Sequence, residues 1–333
     1  MVEEKKYTVV LTGGLGKHII ATTLLRYIQE QEPGAKITVI SGYPEVFLNN
    51  PRVYKNLHHM TSYVYDDYIK GSDFRLGEPY SFKEYYEHER HIAQIYPIAY
   101  RFTGYNENTQ PELYINDSEL REAQYLMQKS LRPTITLQVT GGNQRIGQMK
   151  DPAELTGRDL LTEAGQQIVK IADNAGFNVI QVALPHEVKV DGAMHLGDLP
   201  FRKYINLIPY IKGHIGIDSA MMHAVAAFKK PALIFWGNSN VKNLGYDYID
   251  SCWRNVHRDA CPDPMCGRPH VGIPDLVPEG AWRCPYARKC QHWTPEEIEK
   301  HVTGFLNALK EETVKIPLDA PPTKPCSGIC VSP

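Results

Sequence analysis

The feature that most constrains this chain is a repeated junction. A short uncharged run ends in a small-residue turn and passes straight into a helix. The stretch "YTVVLTGGLGKHIIATTLLRYIQEQEPGAKITVIS" opens one such series. Residues 7–11 are β-rich and uncharged, as a buried parallel strand is. From Ile19 to Ile28 the apolar spacing is helical, Pro33-Gly34 closes the helix, and a strand follows, which makes one βαβ unit. A second series starts at "PTITLQVTGG". It runs through a helix closed by Gly176, the strand "FNVIQVAL", the helix "FRKYINLIPYI", and then "GHIGIDSAMMHAVAAFKKPALIFWG" as strand, helix and strand. Such alternation gives parallel sheets with right-handed crossovers. Two series, separated by a polar, tyrosine-rich stretch up to about residue 130, predict an α/β chain of two Rossmann-like domains facing each other.

In open α/β sheets ligands sit beyond the carboxyl ends of the strands, and three motifs fall there. "TGGLGKH" has Gly13, Gly14 and Gly16. It lacks the third glycine of the dinucleotide fingerprint. The glycines serve a tight strand-to-helix turn, or a turn that lets a substrate approach the backbone. "TGGNQRIGQMKDP" offers Thr140, Gly141, Arg145 and Lys150, glycine-exposed N–H groups and two cations suited to a diphosphate. In "DSAMMH", Ser219 stands at a helix start, Ala220 and Met221 offer N–H groups, and His223 reaches back to the ligand or to Asp218. A helix N-terminus of this kind holds phosphate. A plain serine cap with a core histidine is the alternative. The tyrosines between Tyr63 and Tyr105 form either a core edge or a surface for a sugar or another flat ligand.

Bulk properties exclude other classes. The 333-residue chain carries a formal net charge of -2, so no global basic field draws it to nucleic acid or anionic lipid. The start "MVEEKKYTVV" is not a targeting peptide, and no run has the length of a membrane span. All seven cysteines lie after residue 250, which favours a reducing compartment and a cytoplasmic location over a disulfide framework.

The stretches "GGLGKHIIATTLLRYIQEQEPGAKITVISGYPEVFLNNPRV", "PELYINDSELREAQ" and "GHIGIDSAMMHAVAAFKKPALIFWGNSN" resemble, in order and texture, the family 9 (heptosyltransferase-like) glycosyltransferases. The likeness covers roughly residues 7–305 and is loose in the middle. It implies a GT-B fold: residues 1–130 as an acceptor-side domain and 131–293 as the nucleotide-sugar domain, with a cysteine-rich segment at 252–293. A helix over 294–316 would return to the first domain, ahead of a loose tail at 317–333. The implied activity is inverting, metal-independent sugar transfer from a nucleotide-sugar to a hydroxyl of a carbohydrate or glycosylated acceptor. The sequence has no D-x-D motif for a catalytic metal. Donor contacts would come from the motifs above together with Pro185, His186 and Leu199. The resemblance places the general base directly after the glycine of the first turn, where this chain has Lys17. His18, Glu89 and His91 are then the candidate bases, with Asp66, Asp67 and Asp73 behind them. Lys17 would bind an anion, or else the protein binds nucleotide-sugar without turning it over. Transfer to a nucleic-acid base is a further reading, weakened by the acidic balance. Assembly into a homo-oligomer stays open.

"CPDPMCGRPHVGIPDLVPEGAWRCPYARKC" supplies Cys261, Cys266, Cys284 and Cys290 as two pairs, the layout of a structural zinc or iron site. The spacings are wider than C-x-x-C, so plain thiols are the alternative. His257 or His270 could replace one cysteine, and Cys326 and Cys330 are expected to be free.

Overall fold

The structure is a computed structural model that describes residues 5–58, 62–128, 130–141, 158–185, 187–197, 199–246, 253–262, 265–266 and 289–315. The first domain contains β1 (Lys6–Leu11), α1 (Leu15–Gln31), β2 (Lys36–Ser41), β3 (Val53–Leu57), α2 (Ser62–Val64), β4 (Asp73–Leu76), α3 (Lys83–Tyr86) and α4 (Ile92–Ala99). After α5 (Asp117–Gln128) comes the second domain. It contains β5 (Thr134–Leu137), α6 (Thr162–Asn174), β6 (Asn178–Gln181), β7 (Met194–His195), α7 (Phe201–Leu207), β8 (Gly213–Ile217), α8 (Ala220–Ala227), β9 (Ala232–Trp236), α9 (Val241–Leu244), β10 (Trp253–His257) and α10 (Pro295–Lys315).

Both sheets are parallel throughout. The first has order β3-β2-β1-β4 and the second β10-β9-β8-β5-β6-β7. The uncharged runs read as buried strands are buried: Val9, Val39, Ile135, Leu137, Ile215, Ile217 and Leu233. Parallel strands covered on both faces need such composition.

Helix α1 shows why the domains face each other. Its residues from His18 to Ile28 are buried, so no side of this stretch faces water. It lies between its own sheet and the second domain, against α4 and α8. Two threonines in it would be costly if unpaired. Thr22 donates to the Ile19 carbonyl at 2.7 Å and Thr23 to the Ile20 carbonyl at 2.8 Å. One apolar core runs from Val9 and Leu24 through to Met222, Val225 and Trp236 of the second domain. Buried polar clamps cross the same boundary. Arg202 on α7 donates to both oxygens of Glu119 at 2.7 Å and to the Glu45 carbonyl at 3.2 Å.

The last helix goes elsewhere than the family resemblance implies. The apolar face of α10, with Ile298, Val302, Phe305, Leu306 and Leu309, is buried among Ile135, Ile168 and Leu233 of the second domain. A capping box starts the helix: Glu297 accepts from the Thr294 N–H at 2.7 Å, and Thr294 from the Glu297 N–H at 3.3 Å. Within residues 295–311 the apolar stripe therefore completes the second core and is not laid on the first domain. The tail at 317–333 lies outside the described residues. No helix of the described residues is long and apolar enough to cross a membrane.

Candidate functional site

A cavity of about 650 Å³ opens between the domains, at the carboxyl ends of both sheets. Gly14 to Lys17, Tyr43, Tyr80, Tyr85 and Tyr86 form its first-domain wall. Gln138, Gly141, Arg158, Asp218, Ser219, Ala220 and His223 line the opposite wall. Val182, Ala183, Leu184, Glu187 and Leu199 close one end. Every strand that feeds it is parallel, so each contributes the same end.

The floor is the turn between β8 and α8. Ser219 takes the N-cap position with extended backbone, φ -155°. Its hydroxyl does not cap the helix; it donates to the side-chain carbonyl of Gln138. The α8 N-terminus therefore keeps its first N–H groups directed at the cavity without a side-chain cap. Asp218 is buried, with its carboxylate 3.7 Å from the Arg158 guanidinium and 3.8 Å from His223 Nε2. His223 Nδ1 shares a 2.8 Å hydrogen bond with the Tyr246 hydroxyl. Burial pushes the His223 imidazole down to about 4, Asp218 acting in the opposite sense, so the ring is neutral at pH 7. Met221, expected at the site, does not line the cavity, and its side chain is in the core.

Arg158 supplies the positive charge. A Cβ on Gly141 would lie 2.9 Å from Arg158 Nε, so the guanidinium rests on the backbone at Gly141. The Gly141 N–H donates to Asp159 at 2.7 Å, and Leu160 N–H to the Val139 carbonyl at 2.9 Å. The two stems of the connection between β5 and α6 are thus tied together. Arg145 and Lys150, the cations expected here, lie outside the described residues, as does His186. Thr140 is buried beside this stem but does not line the cavity. Pro185 is exposed, while its neighbours Val182 to Leu184 do the lining.

On the first-domain side Gly13 adopts φ +90° and Gly14 precedes α1. Gly16 faces the second domain. Lys17 lines the cavity with its ammonium 2.8 and 2.7 Å from the two oxygens of Glu78 and 4.6 Å from the centre of the Tyr80 ring. The candidate bases are not brought to this place. His18 is buried, its Nδ1 2.9 Å from the Gly14 carbonyl and its ring edge-on to Tyr43. His91 is the buried N-cap of α4, with Nδ1 accepting from Ala93 N–H at 3.2 Å. Burial pushes the His91 imidazole down to about 3. Glu89 is exposed outside the cavity lining. Asp66, Asp67 and Asp73 do not line it either. The tyrosine stretch divides: Tyr96 and Tyr100 are core, Tyr80, Tyr85 and Tyr86 face the cavity, and Tyr63 and Tyr65 are exposed.

No family model matches the chain, and no curated protein matches it in sequence. Solved structures do match it. The Escherichia coli ADP-heptose lipopolysaccharide heptosyltransferase II superposes on 92% of this chain and 99% of its own, with TM-score 0.62 at 14% identity. A family 9 glycosyl transferase from Veillonella parvula covers 92% and 99%, with TM-score 0.60 at 13% identity. The dodecameric iron-containing heptosyltransferase TibC of enterotoxigenic E. coli, in complex with ADP-D-beta-D-heptose, covers 94% of this chain and 79% of its own, with TM-score 0.61 at 12% identity. The chain has the GT-B fold of the family 9 glycosyltransferases.

The cavity is thus the interdomain cleft of a GT-B fold. Arg158 and Gln138, which line it, and Glu78, which lies beside it on Lys17, escaped the sequence reading. Arg158 follows a loop of uninformative spacing, Gln138 looked like an ordinary strand residue, and Glu78 reaches Lys17 from a different strand end. "RLGEPY", with a glycine, a capping acid and a proline in sequence, was the available signal for Glu78. Of the cysteine quartet, Cys261 and Cys290 are buried and Cys266 is half-buried, while Cys284 and His270 lie outside the described residues. Among the described residues no three His, Cys, Asp or Glu side chains group as metal ligands.

Proposed function

We propose that this GT-B protein is an inverting, metal-independent glycosyltransferase that takes its sugar from a nucleotide-sugar and passes it to a carbohydrate or glycosylated acceptor hydroxyl. The observation that carries this reading is the pairing of Arg158 with the uncapped N-terminus of α8 in a cleft between two parallel sheets. A departing nucleoside diphosphate needs its growing charge met by fixed donors. One exposed helix end gives about 0.3–1 kcal/mol to an anion. A guanidinium adds charge-assisted, two-pronged hydrogen bonds, so the pair can do what a metal does in other transferases. Arg145 and Lys150 join them in the same reading. The nucleoside would lie toward Val182 to Leu184 and Leu199, an apolar end that bears the carboxylate Glu187. Neutral His223 orients the turn by its bond to Tyr246. The acceptor would approach along Tyr43, Tyr80, Tyr85 and Tyr86, flat faces suited to sugar rings.

A binding-only protein is the second reading, favoured by Lys17 at the place where the resemblance puts a base. Release of nucleoside diphosphate from a nucleotide-sugar, with or without acceptor, supports the enzyme; tight binding without release supports the second reading. A structural zinc or iron on the cysteine segment rests on the sequence pairs alone. One metal atom per chain by elemental analysis would support it, and none would remove it. Self-assembly is in keeping with the dodecameric TibC, and light scattering tests it. The direct test of the function is a thermal-shift panel of nucleosides, nucleoside diphosphates and nucleotide-sugars. A ligand at about a hundred times its Kd stabilises by about 2.7 kcal/mol, so one diphosphate family should raise the Tm and the bare nucleosides should do little. No shift with any diphosphate would refute it.

A further inference from the structure

We propose that Glu78 is the general base of the transfer and that Lys17 is the positioning residue that holds it, an inference that rests on the glycosyltransferase reading above. The first turn of α1 carries a cation in place of a carboxylate, yet a carboxylate is present 2.7 Å from that cation. It arrives from the neighbouring strand. β4 pairs with β1 in parallel, Leu76 beside Val10, so the chain after Leu76 emerges next to the Gly13–Gly16 turn at the same end of the sheet.

The chain is built to set Glu78 there. A Cβ on Gly77 would lie 2.3 Å from the Ala99 carbonyl oxygen, so only glycine lets the strand end press against α4. Glu78 caps the single turn that follows, its Oε1 accepting from Tyr80 N–H at 3.2 Å, and Pro79 starts that turn. Oε1 thus has two donors, Lys17 and Tyr80 N–H, while Oε2 has Lys17 as its partner, leaving a lone pair on Oε2 for a proton. Lys17 is itself held from behind, since Tyr96 donates to its backbone carbonyl at 2.7 Å. The carboxylates that line the cleft come from the donor side. Asp218 is buried between Arg158 and His223, and Glu187 accepts from Leu184 N–H at 2.7 Å. A base must sit across the sugar from the departing diphosphate if the anomeric carbon is to invert. Glu78 meets that condition: it stands just outside the cavity lining, bonded to Lys17 of the first-domain wall, which faces the wall that carries Arg158 and Asp218.

The acceptor oxygen bonds to the anomeric carbon while its proton passes to Glu78 Oε2. The bond from the anomeric carbon to the phosphate oxygen breaks, and its electron pair leaves with the nucleoside diphosphate toward Arg158.

The test uses the full chain with ADP-glucose, UDP-glucose and GDP-mannose as donors, water as acceptor and nucleoside diphosphate release as the readout. Glu78→Gln should lower release by about 10²–10⁴-fold, with calorimetric affinity for nucleoside diphosphate kept, which also shows that the variant folds. Glu78→Ala with sodium azide should release diphosphate again and yield a glycosyl azide, because azide attacks the anomeric carbon without needing a base. The double variant Lys17→Asp, Glu78→Lys returns a carboxylate to the pair and should recover part of the rate. Near-wild-type release by Glu78→Gln, or no azide rescue of a diphosphate-binding Glu78→Ala, would overturn the role of Glu78. A wild type that binds diphosphate but cleaves no donor would support the binding-only reading and remove the role of Glu78 with it, while the donor site stands. A wild type that binds no nucleoside diphosphate would overturn the glycosyltransferase reading itself.

Discussion

Gly16 of the first domain and His223 of the second meet so closely that a Cβ on Gly16 would lie 3.0 Å from His223 Cδ2 and 3.7 Å from the Ala220 Cα. The contact joins the acceptor-side turn to the helix end proposed to hold the diphosphate. Gly16→Ala must displace the imidazole, and the ring is fixed on its other side by Tyr246. Overpacking of this kind costs about 1–3 kcal/mol. The variant should melt lower and bind nucleoside diphosphate more weakly. An unchanged Tm and unchanged affinity would show that the two helices do not depend on this contact.

Asn243 ties the segment carrying Tyr85 and Tyr86 to the second domain. Its amide donates to the Tyr85 carbonyl at 3.1 Å and the Arg90 carbonyl at 3.0 Å, and its oxygen is 2.5 Å from His88 Nδ1. His88 has φ +55°, a conformation that needs outside support. Asn243→Ala leaves these groups without their partner, at a cost of about 1–3 kcal/mol. Hydrogen exchange should speed up across residues 83–91 and stay slow in β8 and β9. Uniform acceleration would mean global destabilisation and no local clamp.

The fold was legible because its signals are local. Uncharged runs of strand length can be satisfied only inside a parallel sheet, and the Asp218-Ser219 turn announces a helix start whatever surrounds it. Contacts between distant segments were not legible. Nothing in "EHERH" tells a cleft base from a buried cap such as His91, and His18 follows Lys17 on a helix whose middle is wholly buried. The stripe of α10 specifies an apolar partner but not which sheet supplies it. Arg158 enters the site because β5 and the start of α6 are hydrogen-bonded at their stems, a closure that spacing does not encode.

Acid should destabilise the protein through its buried histidines. Burial pushes His214 down to about 3, His91 to about 3 and His223 to about 4, from an ordinary value of 6.5. Between those values and 6.5 the unfolded chain takes up protons that the folded chain refuses. Stability is therefore complete above about pH 6.5 and falls as pH drops, by about 1.4 kcal/mol per pH unit for each such group. Calorimetric Tm should decline from pH 7 to pH 4, and His214→Asn should flatten the decline. A Tm that is level from pH 7 to pH 5 would contradict the burial of these rings.

Arg202 and Glu119 form another interdomain pair. Hydrogen bonds from Arg202 are the main reason the Glu119 carboxyl is held down to about 2. That contribution is present above the ordinary carboxylate range and is lost as pH falls toward 2. Arg202→Met should cost about 3 kcal/mol, the lower end for breaking a buried pair, since Glu119 keeps some contact with water. Chemical denaturation at pH 7 measures it. A loss near zero would mark the pair as dispensable to the join between α5 and α7.

The most direct test of the central claim is a calorimetric comparison of wild type and Arg158→Gln, each titrated with a nucleoside and with its diphosphate. If Arg158 and the α8 N-terminus hold the diphosphate, wild type binds the diphosphate far more tightly than the nucleoside. Arg158→Gln should then weaken the diphosphate by about 1.5–3 kcal/mol, the value of a hydrogen bond to a charged group, and leave the nucleoside nearly unchanged. Equal affinity of wild type for the two ligands, or an equal loss for both in the variant, would contradict it.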